Sequence, residues 1–425
     1  MSDSQIGGTN YDTIKEVKLD YGINKLKEFN INNALYKQVI NELEMDKNIK
    51  LLKNNHNLIL TGAPGTGKTY LAKQIAKAMG CSDDEIGFVQ FHPSYDYTDF
   101  VEGLRPTGDN GQVGFERKDG VFKEFCKKAL KINDIDSAIE WFKNEIENRG
   151  GSITIDRTNR GSSVNYQIKN SPNDSDNFMV LTNTNSCPPT GYPASIKDIK
   201  SYMATGNYDK NHDTYQPTIG EYIKTHFFNK PFVFIIDEIN RGEISKIFGE
   251  LFFSVDPGYR GEKGKVMTQY QNMIPKEGDS DYNPDDADVF RDGFYVPENV
   301  YIIGTMNDID RSVESMDFAF RRRFAFKEIK ANENIGMLDE LGGVKGYAEK
   351  RMRALNEAIS KISGLNSAYH IGGAYFLKLK NYDNDFNELW DNHLDGLLRE
   401  YLRGRRQEEI EDQMKTLKQA YDTAN

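Results

Sequence analysis

The chain has 425 residues, of which 38% are hydrophobic, 12% aromatic and 28% charged, with a formal net charge of -11. Such a chain is globular and long enough for two or three domains, and its acidic balance restricts any DNA contact to a local patch. No apolar run approaches the roughly 20 residues that span a bilayer, and the three cysteines, Cys81, Cys126 and Cys187, are too widely spaced to suggest a disulfide framework or a structural zinc site.

Residues 1–50 are predicted to form an N-terminal extension with one helix, because Leu35, Val39, Ile40 and Leu43 recur at helical spacing. The first residues, MSDSQIGGTNYD, lack the basic and apolar regions of a secretory signal. A cytoplasmic location without membrane contact is therefore expected.

A strand, a glycine-rich loop and a helix are predicted next. The run HNLILTG is short and apolar, and in KTYLAKQIAKAMG the residues Leu71, Ile75 and Met79 lie four apart before Gly80 ends the helix. Three further apolar runs, GFVQF, PFVFIID and VYIIGTM, are typical of parallel strands covered on both faces. The predicted fold class is α/β, a parallel sheet flanked by helices over residues 51–130 and 226–330, with ligands at the carboxyl ends of the strands.

Between these parts, residues 131–225 are polar and contain short alternating runs, which predicts an inserted small α+β module; a long decorated loop is the alternative. Trp141, Arg157, Arg160 and Tyr166 suggest a binding role there, but aromatic residues at such spacing more often form a core. Residues 256–296 are predicted to be a hairpin or flexible loop, and residues 331–425 a C-terminal helical lid.

The motif GAPGTGKT fits G-x-x-x-x-G-K-[ST] and lies between the predicted strand and helix, as a phosphate-binding loop does. Its backbone N–H groups and the helix N-terminus favour a phosphate, Lys68 would reach the β- and γ-phosphates, and Thr69 would bind Mg²⁺. The predicted nucleotide-binding residues are Gly62, Ala63, Pro64, Gly65, Thr66, Gly67, Lys68, Thr69 and Tyr70.

The run FVFIIDEIN delivers Asp237 and Glu238 to the end of a second strand. There Asp237 would hold Mg²⁺ and Glu238 would polarise the attacking water, so hydrolysis is expected. The alternative is a pair of carboxylates that only solvate the strand end.

A third strand end, VYIIGTMN, places Asn307 where an amide can orient the water. The following SVESMDFAFRRRF is predicted to be helical, with Phe318, Phe320 and Phe324 packed. Its three arginines would then point away from this site and reach the phosphates of a neighbouring subunit, or be solvated or salt-bridged; they are Arg321, Arg322 and Arg323.

The stretch SYDYTDFVEGLRP is predicted to begin a helix with Ser94 or Thr98 as its N-cap. Phe100 and Leu104 stand at helical spacing and are expected to pack.

The strand–GAPGTGKT–helix unit, DEIN, the strand-end Asn307 and the arginine cluster together resemble the AAA+ superfamily. Longer strings narrow the resemblance to the McrB family, the motor subunits of modification-dependent restriction systems. These strings are VQFHPSYDYTDFVEGLRP, IIDEINRGEISKIFGELFFSVD, FYVPENVYIIGTMNDIDRSVESMDFAFRRRFAF and the weaker YHIGGAYF.

The resemblance implies a homo-hexameric ring that hydrolyses GTP rather than ATP with Mg²⁺, and that drives a separate McrC-like nuclease subunit on DNA. The family signature M-N-x-x-D-R matches Met306, Asn307, Asp310 and Arg311. By carry-over Asp310 supports the subunit interface, and Arg311 or one of the three later arginines acts across it; which one is left open.

Familiar members of the family have an N-terminal domain that reads a modified base. Only about 50 residues precede the first strand here, fewer than an ordinary domain needs, so that reader is expected to be missing, truncated from this sequence, or on another chain. Two other functions stay open: a MoxR-like ATP-dependent protein-remodelling ATPase, and a nucleotide-gated binding scaffold.

Overall fold

The computed structural model describes most of the chain and divides it into two compact units. The first unit comprises the described residues up to Tyr97, Val233–Gly258 and those from Tyr301 onward; the second comprises Thr98–Phe232 and Tyr259–Val300. The described residues are 34–109, 112–131, 135–159, 162–172, 174–182, 187–206, 215–228, 230–280, 282–283, 288–309 and 318–424.

The first unit is built on a five-stranded sheet in the order β11-β1-β10-β9-β2. Strand β1 pairs in parallel with β10 and β11, and β2 pairs in parallel with β9. The predicted parallel strands are confirmed, and their carboxyl ends meet at one edge of the sheet. The strands are β1 Asn57–Thr61, β2 Ile86–Gln90, β9 Phe232–Asp237, β10 Val300–Thr305 and β11 Ala325–Glu328.

Helices cover this sheet and bury its apolar side chains. Leu58 and Leu60 of β1, Ile235 of β9 and Ile303 of β10 pack with Ile75 of the helix after the glycine-rich loop. The helices of this part are α1 Ala34–Asn55, α2 Lys68–Ala78, α8 Ile244–Phe248, α9 Leu251–Val255 and α10 Phe318–Arg321.

The C-terminal part of the first unit is helical, as predicted, and has its own apolar core. Leu355, Ile359, Leu398 and Leu417 are among its buried residues. Across the described ranges of the chain, no helix is both long and apolar enough to cross a membrane. The α-helices here are α11 Lys345–Lys361, α12 Gly373–Leu377, α13 Phe386–Leu389, α14 Asp395–Tyr401 and α15 Gln407–Thr423.

The second unit contains a two-stranded hairpin that the sequence interpretation missed. After the short helix α3, Tyr97–Phe100, the chain forms β3, Glu102–Asp109, which pairs antiparallel with β4, Gln112–Asp119. The prediction that Leu104 continues a helix from Phe100 was therefore wrong, because only Phe100 is buried and Leu104 lies exposed on a strand. Helix α4, Val121–Lys131, follows the hairpin.

A cluster of buried charges joins the base of this hairpin to α4. Lys123 Nζ lies 2.6 Å from Glu102 Oε2, and both side chains are fully buried. Arg117 Nη1 lies 3.1 Å from the same oxygen, and Arg117 Nη2 lies 3.0 Å from Asp288 Oδ2. Residues 256–296 were predicted to be a hairpin or flexible loop. The part of this segment in the second unit is attached to the charge cluster through Asp288. Within it, Val266 and Phe294 form an antiparallel β-bridge.

The predicted insert is an α+β module, and the alternative of a decorated loop is excluded for its described residues. Its four strands form an antiparallel sheet in the order β5-β6-β7-β8. Tyr166 is buried in the core of this module and Trp141 packs against that core, so both are packing residues. Its elements are α5 Ile135–Asn148, β5 Ile153–Asn159, β6 Ser162–Asn170, β7 Asn177–Thr182, β8 Tyr192–Ser195, α6 Ile196–Thr205 and α7 Tyr215–Ile223.

Candidate active site

The loop of residues 62–67 connects β1 to α2 and closes around the side chain of Lys68. Lys68 Nζ donates to the carbonyl oxygens of Gly62 at 3.0 Å and Ala63 at 2.8 Å. Gly65 and Gly67 have φ of 75° and 81°, a left-handed conformation that favours glycine. The loop therefore has the fold of a phosphate cradle at the N-terminus of α2.

Burial lowers the pKa of Lys68 to about 8 from its usual 10.5, although Glu238, Asp308 and Asp237 oppose the shift by attraction. The ammonium form lacks its hydration shell, and nearby carboxylates only partly replace it. A polyanion bound in the loop would favour the charged lysine.

Asp237, at the end of β9, accepts two hydroxyl hydrogen bonds. Thr69 Oγ1 of α2 and Thr305 Oγ1 of β10 each lie 2.6 Å from Asp237 Oδ1. Within the described part of the chain, no group of three His, Cys, Asp or Glu side chains is placed to hold a metal ion. One carboxylate and one hydroxyl fit Mg²⁺, which keeps several waters and usually binds through one or two carboxylates plus substrate phosphates.

Asn307, just beyond β10, lies between Lys68 and Glu238. Its Oδ1 accepts from Lys68 Nζ at 2.9 Å, and its Nδ2 donates to Glu238 Oε1 at 2.6 Å. Glu238 has φ of 52°, a strained backbone conformation for a residue that is not glycine. Three predicted site residues from three separate segments are thus within hydrogen-bond distance.

Asp308 also belongs to this group, although the sequence interpretation gave it no role. Burial raises the pKa of Asp308; attraction to Lys68 opposes the shift and repulsion from Glu328 adds to it. Its backbone N–H lies 3.4 Å from the carbonyl oxygen of Gly62. The signal that could have found it is its position directly after Asn307 at the strand end.

The helical C-terminal part contacts the same loop. The Gly372 N–H donates to Pro64 O at 3.0 Å, and the Ala374 N–H donates to Gly65 O at 2.9 Å. Asn334 Nδ2 donates to Thr66 O at 2.9 Å. The predicted lid therefore donates hydrogen bonds to three carbonyl oxygens of this loop.

A family model for the AAA domain, dynein-related subfamily, matches residues 57–324, more than half of the chain. The chain belongs to this AAA family. A second model, for the α-helical lid domain of McrB, matches residues 347–410, and confirms the predicted resemblance and the lid.

Two curated relatives are components of restriction enzymes. The type IV methyl-directed restriction enzyme EcoKMcrB subunit of Escherichia coli is 28% identical over 365 residues, which cover 83% of this chain and 54% of the relative. The type II restriction enzyme BsuMI component YdiS of Bacillus subtilis is 24% identical over 278 residues, covering 64% of this chain and 57% of the relative. The matched parts thus span little more than half the length of each relative.

The arginine cluster of this AAA domain splits into exposed and packed members. Arg321 and Arg322 are exposed, with the Arg321 guanidinium 4.7 Å from the Phe326 ring centroid. The Arg323 side chain is only 11% exposed and lies 3.6 Å from Asp256. Arg323 also donates to the carbonyl oxygen of Ala319.

The structure corrects the expectation for Phe318, and it does not describe two of the other predicted residues. Phe320 and Phe324 are buried as predicted, but Phe318 is 88% exposed, because α10 begins there and is only one turn long. Asp310 and Arg311 lie outside the described residues. The side chain of Tyr70, assigned to nucleotide binding, is 63% exposed on α2.

Proposed function

We propose that this AAA protein is the nucleoside-triphosphate-hydrolysing motor of an McrBC-like, modification-dependent DNA restriction system. One observation carries the proposal: at the carboxyl edge of the sheet, Asn307 hydrogen-bonds to both Lys68 and Glu238, and Thr69 hydrogen-bonds to Asp237, which directly precedes Glu238. This is the arrangement needed to bind a triphosphate and to activate water beside it.

In the proposed reaction, the amides of the phosphate loop and the Lys68 ammonium bind the β- and γ-phosphates. Thr69 and Asp237 would hold Mg²⁺, which neutralises negative charge on the phosphates when it is bound. Glu238 accepts a proton from the attacking water, and Asn307 orients that water. The bond between Asn307 and Glu238 keeps the carboxylate aimed at the site before nucleotide arrives.

GTP is the proposed nucleotide and ATP the alternative. The proposal rests on the resemblance to the McrB family, which the match to the McrB lid domain supports. Competitive titration of the two nucleotides against a fluorescent analogue tests it directly, and equal affinity would remove the preference for GTP.

The active assembly is proposed to be a cytoplasmic homo-hexamer that drives a separate McrC-like nuclease on DNA. The exposed Arg321 and Arg322 are suited to reach a neighbour's phosphates, where such a residue contributes about 10³–10⁵ in rate. Arg311 remains an alternative finger, and Asp310 a proposed interface residue. The names of both relatives support a restriction role.

The test measures phosphate release from GTP and from ATP with Mg²⁺, alone and with an McrC-like nuclease and modified DNA. Stimulation by that partner, with DNA cleavage that requires hydrolysis, is the expected result. Stimulation by an unfolded protein instead would favour a remodelling ATPase. Failure to hydrolyse either nucleotide under all conditions would refute the proposal.

A further inference from the structure

The lid segment of residues 371–375 binds the outer side of the phosphate loop through backbone groups. Gly372 and Ala374 donate their N–H groups to the carbonyls of Pro64 and Gly65 at 3.0 and 2.9 Å. With the bond from Asn334 Nδ2 to Thr66 O at 2.9 Å, three successive loop carbonyls are engaged by the lid.

These three bonds fix the direction in which the loop presents its N–H groups. In a planar trans peptide, the carbonyl of one residue and the N–H of the next point in opposite directions. Because the carbonyls of residues 64–66 face the lid, the N–H groups of Gly65, Thr66 and Gly67 face away from it. Such a row of N–H groups is a binding site for an anion.

Gly372 is required by the contact itself and not by its backbone conformation. Its φ of -82° and ψ of 164° suit any residue. A Cβ on Gly372, however, would lie 2.1 Å from Gly65 C and 2.4 Å from Thr66 N, both backbone atoms. Even alanine at position 372 would therefore push the lid segment off the loop.

The lid core holds this segment in place through Asn356 of α11, which is fully buried. Its Oδ1 accepts from the Ile371 N–H at 2.7 Å, and its Nδ2 donates to the Ile371 carbonyl at 3.0 Å. Ile371 is itself buried in the lid core. A continuous set of contacts thus runs from the lid core to the phosphate loop.

We infer that the lid segment 371–375 is a positioning element for phosphate binding: it presets the loop amides, so nucleotide affinity depends on lid docking. Gly372 is its central residue, and the ligand is the phosphate chain of a nucleoside triphosphate. The inference rests on the proposed nucleotide-binding function, and it assigns residues that the phosphate-loop motif does not include.

The test uses the full chain and the Gly372→Ala variant, with titration of fluorescent GTP and ATP analogues and steady-state hydrolysis. We expect nucleotide affinity to fall on the order of tenfold, as when several hydrogen bonds are lost, while kcat at saturation stays within about threefold. Asn334→Ala removes one bond only, and an affinity loss of about threefold is expected. Gly396→Ala is the matched control, because nothing lies within 4 Å of a Cβ at that lid position.

Amide hydrogen exchange separates this inference from the proposed function. In Gly372→Ala, faster exchange of the N–H groups of residues 372 and 374, which donate to the loop, with unchanged protection of α11 would show that the lid has left the loop without unfolding. Wild-type affinity in Gly372→Ala would overturn the inference. If the wild-type protein bound neither nucleotide, the proposed function would fail, and unchanged exchange at residues 372 and 374 in the variant would then overturn the inference separately.

Discussion

The side-chain amide of Asn307 donates to a carboxylate oxygen of Glu238 at 2.6 Å. The same amide accepts from Lys68 at 2.9 Å, so one side chain joins the proposed phosphate-binding lysine to the proposed general base. This contact links the ends of β10 and β9 to the residue that follows the phosphate loop.

Replacing Asn307 by alanine should lower kcat by about 10²-fold, because Glu238 and its water lose their fixed orientation. Nucleotide affinity should change little, since Lys68 keeps its loop contacts. Single-turnover hydrolysis and equilibrium binding, measured on the same preparation, separate the two effects. An affinity loss as large as the rate loss would assign Asn307 to binding.

The depressed pKa of Lys68, about 8, predicts that nucleotide affinity falls as pH rises. A bound triphosphate favours the ammonium form, so affinity should drop by up to about tenfold per pH unit above pH 8. ATP is the better probe, because adenine does not ionise in this range. Titrations from pH 7 to 10 should give a sloping profile for the wild type and a flat one for Lys68→Ala; a flat wild-type profile would contradict the account.

The lowered pKa of Lys68 also affects the stability of the nucleotide-free protein, which should increase with pH whereas nucleotide affinity decreases. The pKa of Lys68 is lower in the folded state than its usual 10.5, so the unfolded chain binds the proton more tightly. Between pH about 8 and 10.5 this group therefore makes the free energy of unfolding rise with pH.

The exposed and packed arginines should respond differently to alanine. Arg322→Ala is expected to reduce hydrolysis on the order of 10³-fold in the assembled protein without loss of stability. Arg323→Ala should instead lower stability, because it loses Asp256 and the Ala319 carbonyl. Mixing Arg322→Ala with Glu238→Gln subunits should restore partial activity, since some interfaces then combine an intact arginine with an intact site. Absence of any recovery would argue against a trans-acting Arg322.

Loss of one partner from the buried charge cluster should destabilise the second unit. Glu102→Gln leaves the fully buried Lys123 without its nearest anion, and we expect a loss of about 3 kcal/mol. Arg105→Gln, at the exposed pair with Asp99, is the control and should cost less than about 1 kcal/mol. The chain has two tryptophans, so in a Trp390→Phe background Trp141 reports urea unfolding of the second unit. Equal midpoints for the two variants would contradict the role of the cluster.

The sheet and the centre of the site were predictable because their signals are local. Continuous apolar runs predicted β1, β9 and β10: the first leads into the phosphate loop, the second ends at Asp237, and the third ends two residues before Asn307. The hairpin β3–β4 was missed because Phe100 and Leu104 stand four residues apart, which imitates a helix. The Asn-Gly pair at 110–111 was the available hairpin signal.

The contact of the lid with the phosphate loop could not be predicted from sequence. Asn334 and Thr66 are 268 positions apart, and a side chain that binds a backbone carbonyl leaves no pattern in either segment. The steric need for glycine at Gly372 is likewise visible only in three dimensions. The predicted domain boundaries and the roles of the arginines remain predictions.

The most direct test of the central claim is nucleotide turnover and retention by Glu238→Gln beside the wild type. With Mg²⁺ and GTP or ATP, the wild type should release phosphate, whereas the variant should bind the same nucleotide with similar affinity and hydrolyse it at least about 10²-fold more slowly. Recovery of intact triphosphate from the variant would match the proposed role of Glu238. Normal hydrolysis by Glu238→Gln, or no nucleotide binding by the wild type, would contradict the account.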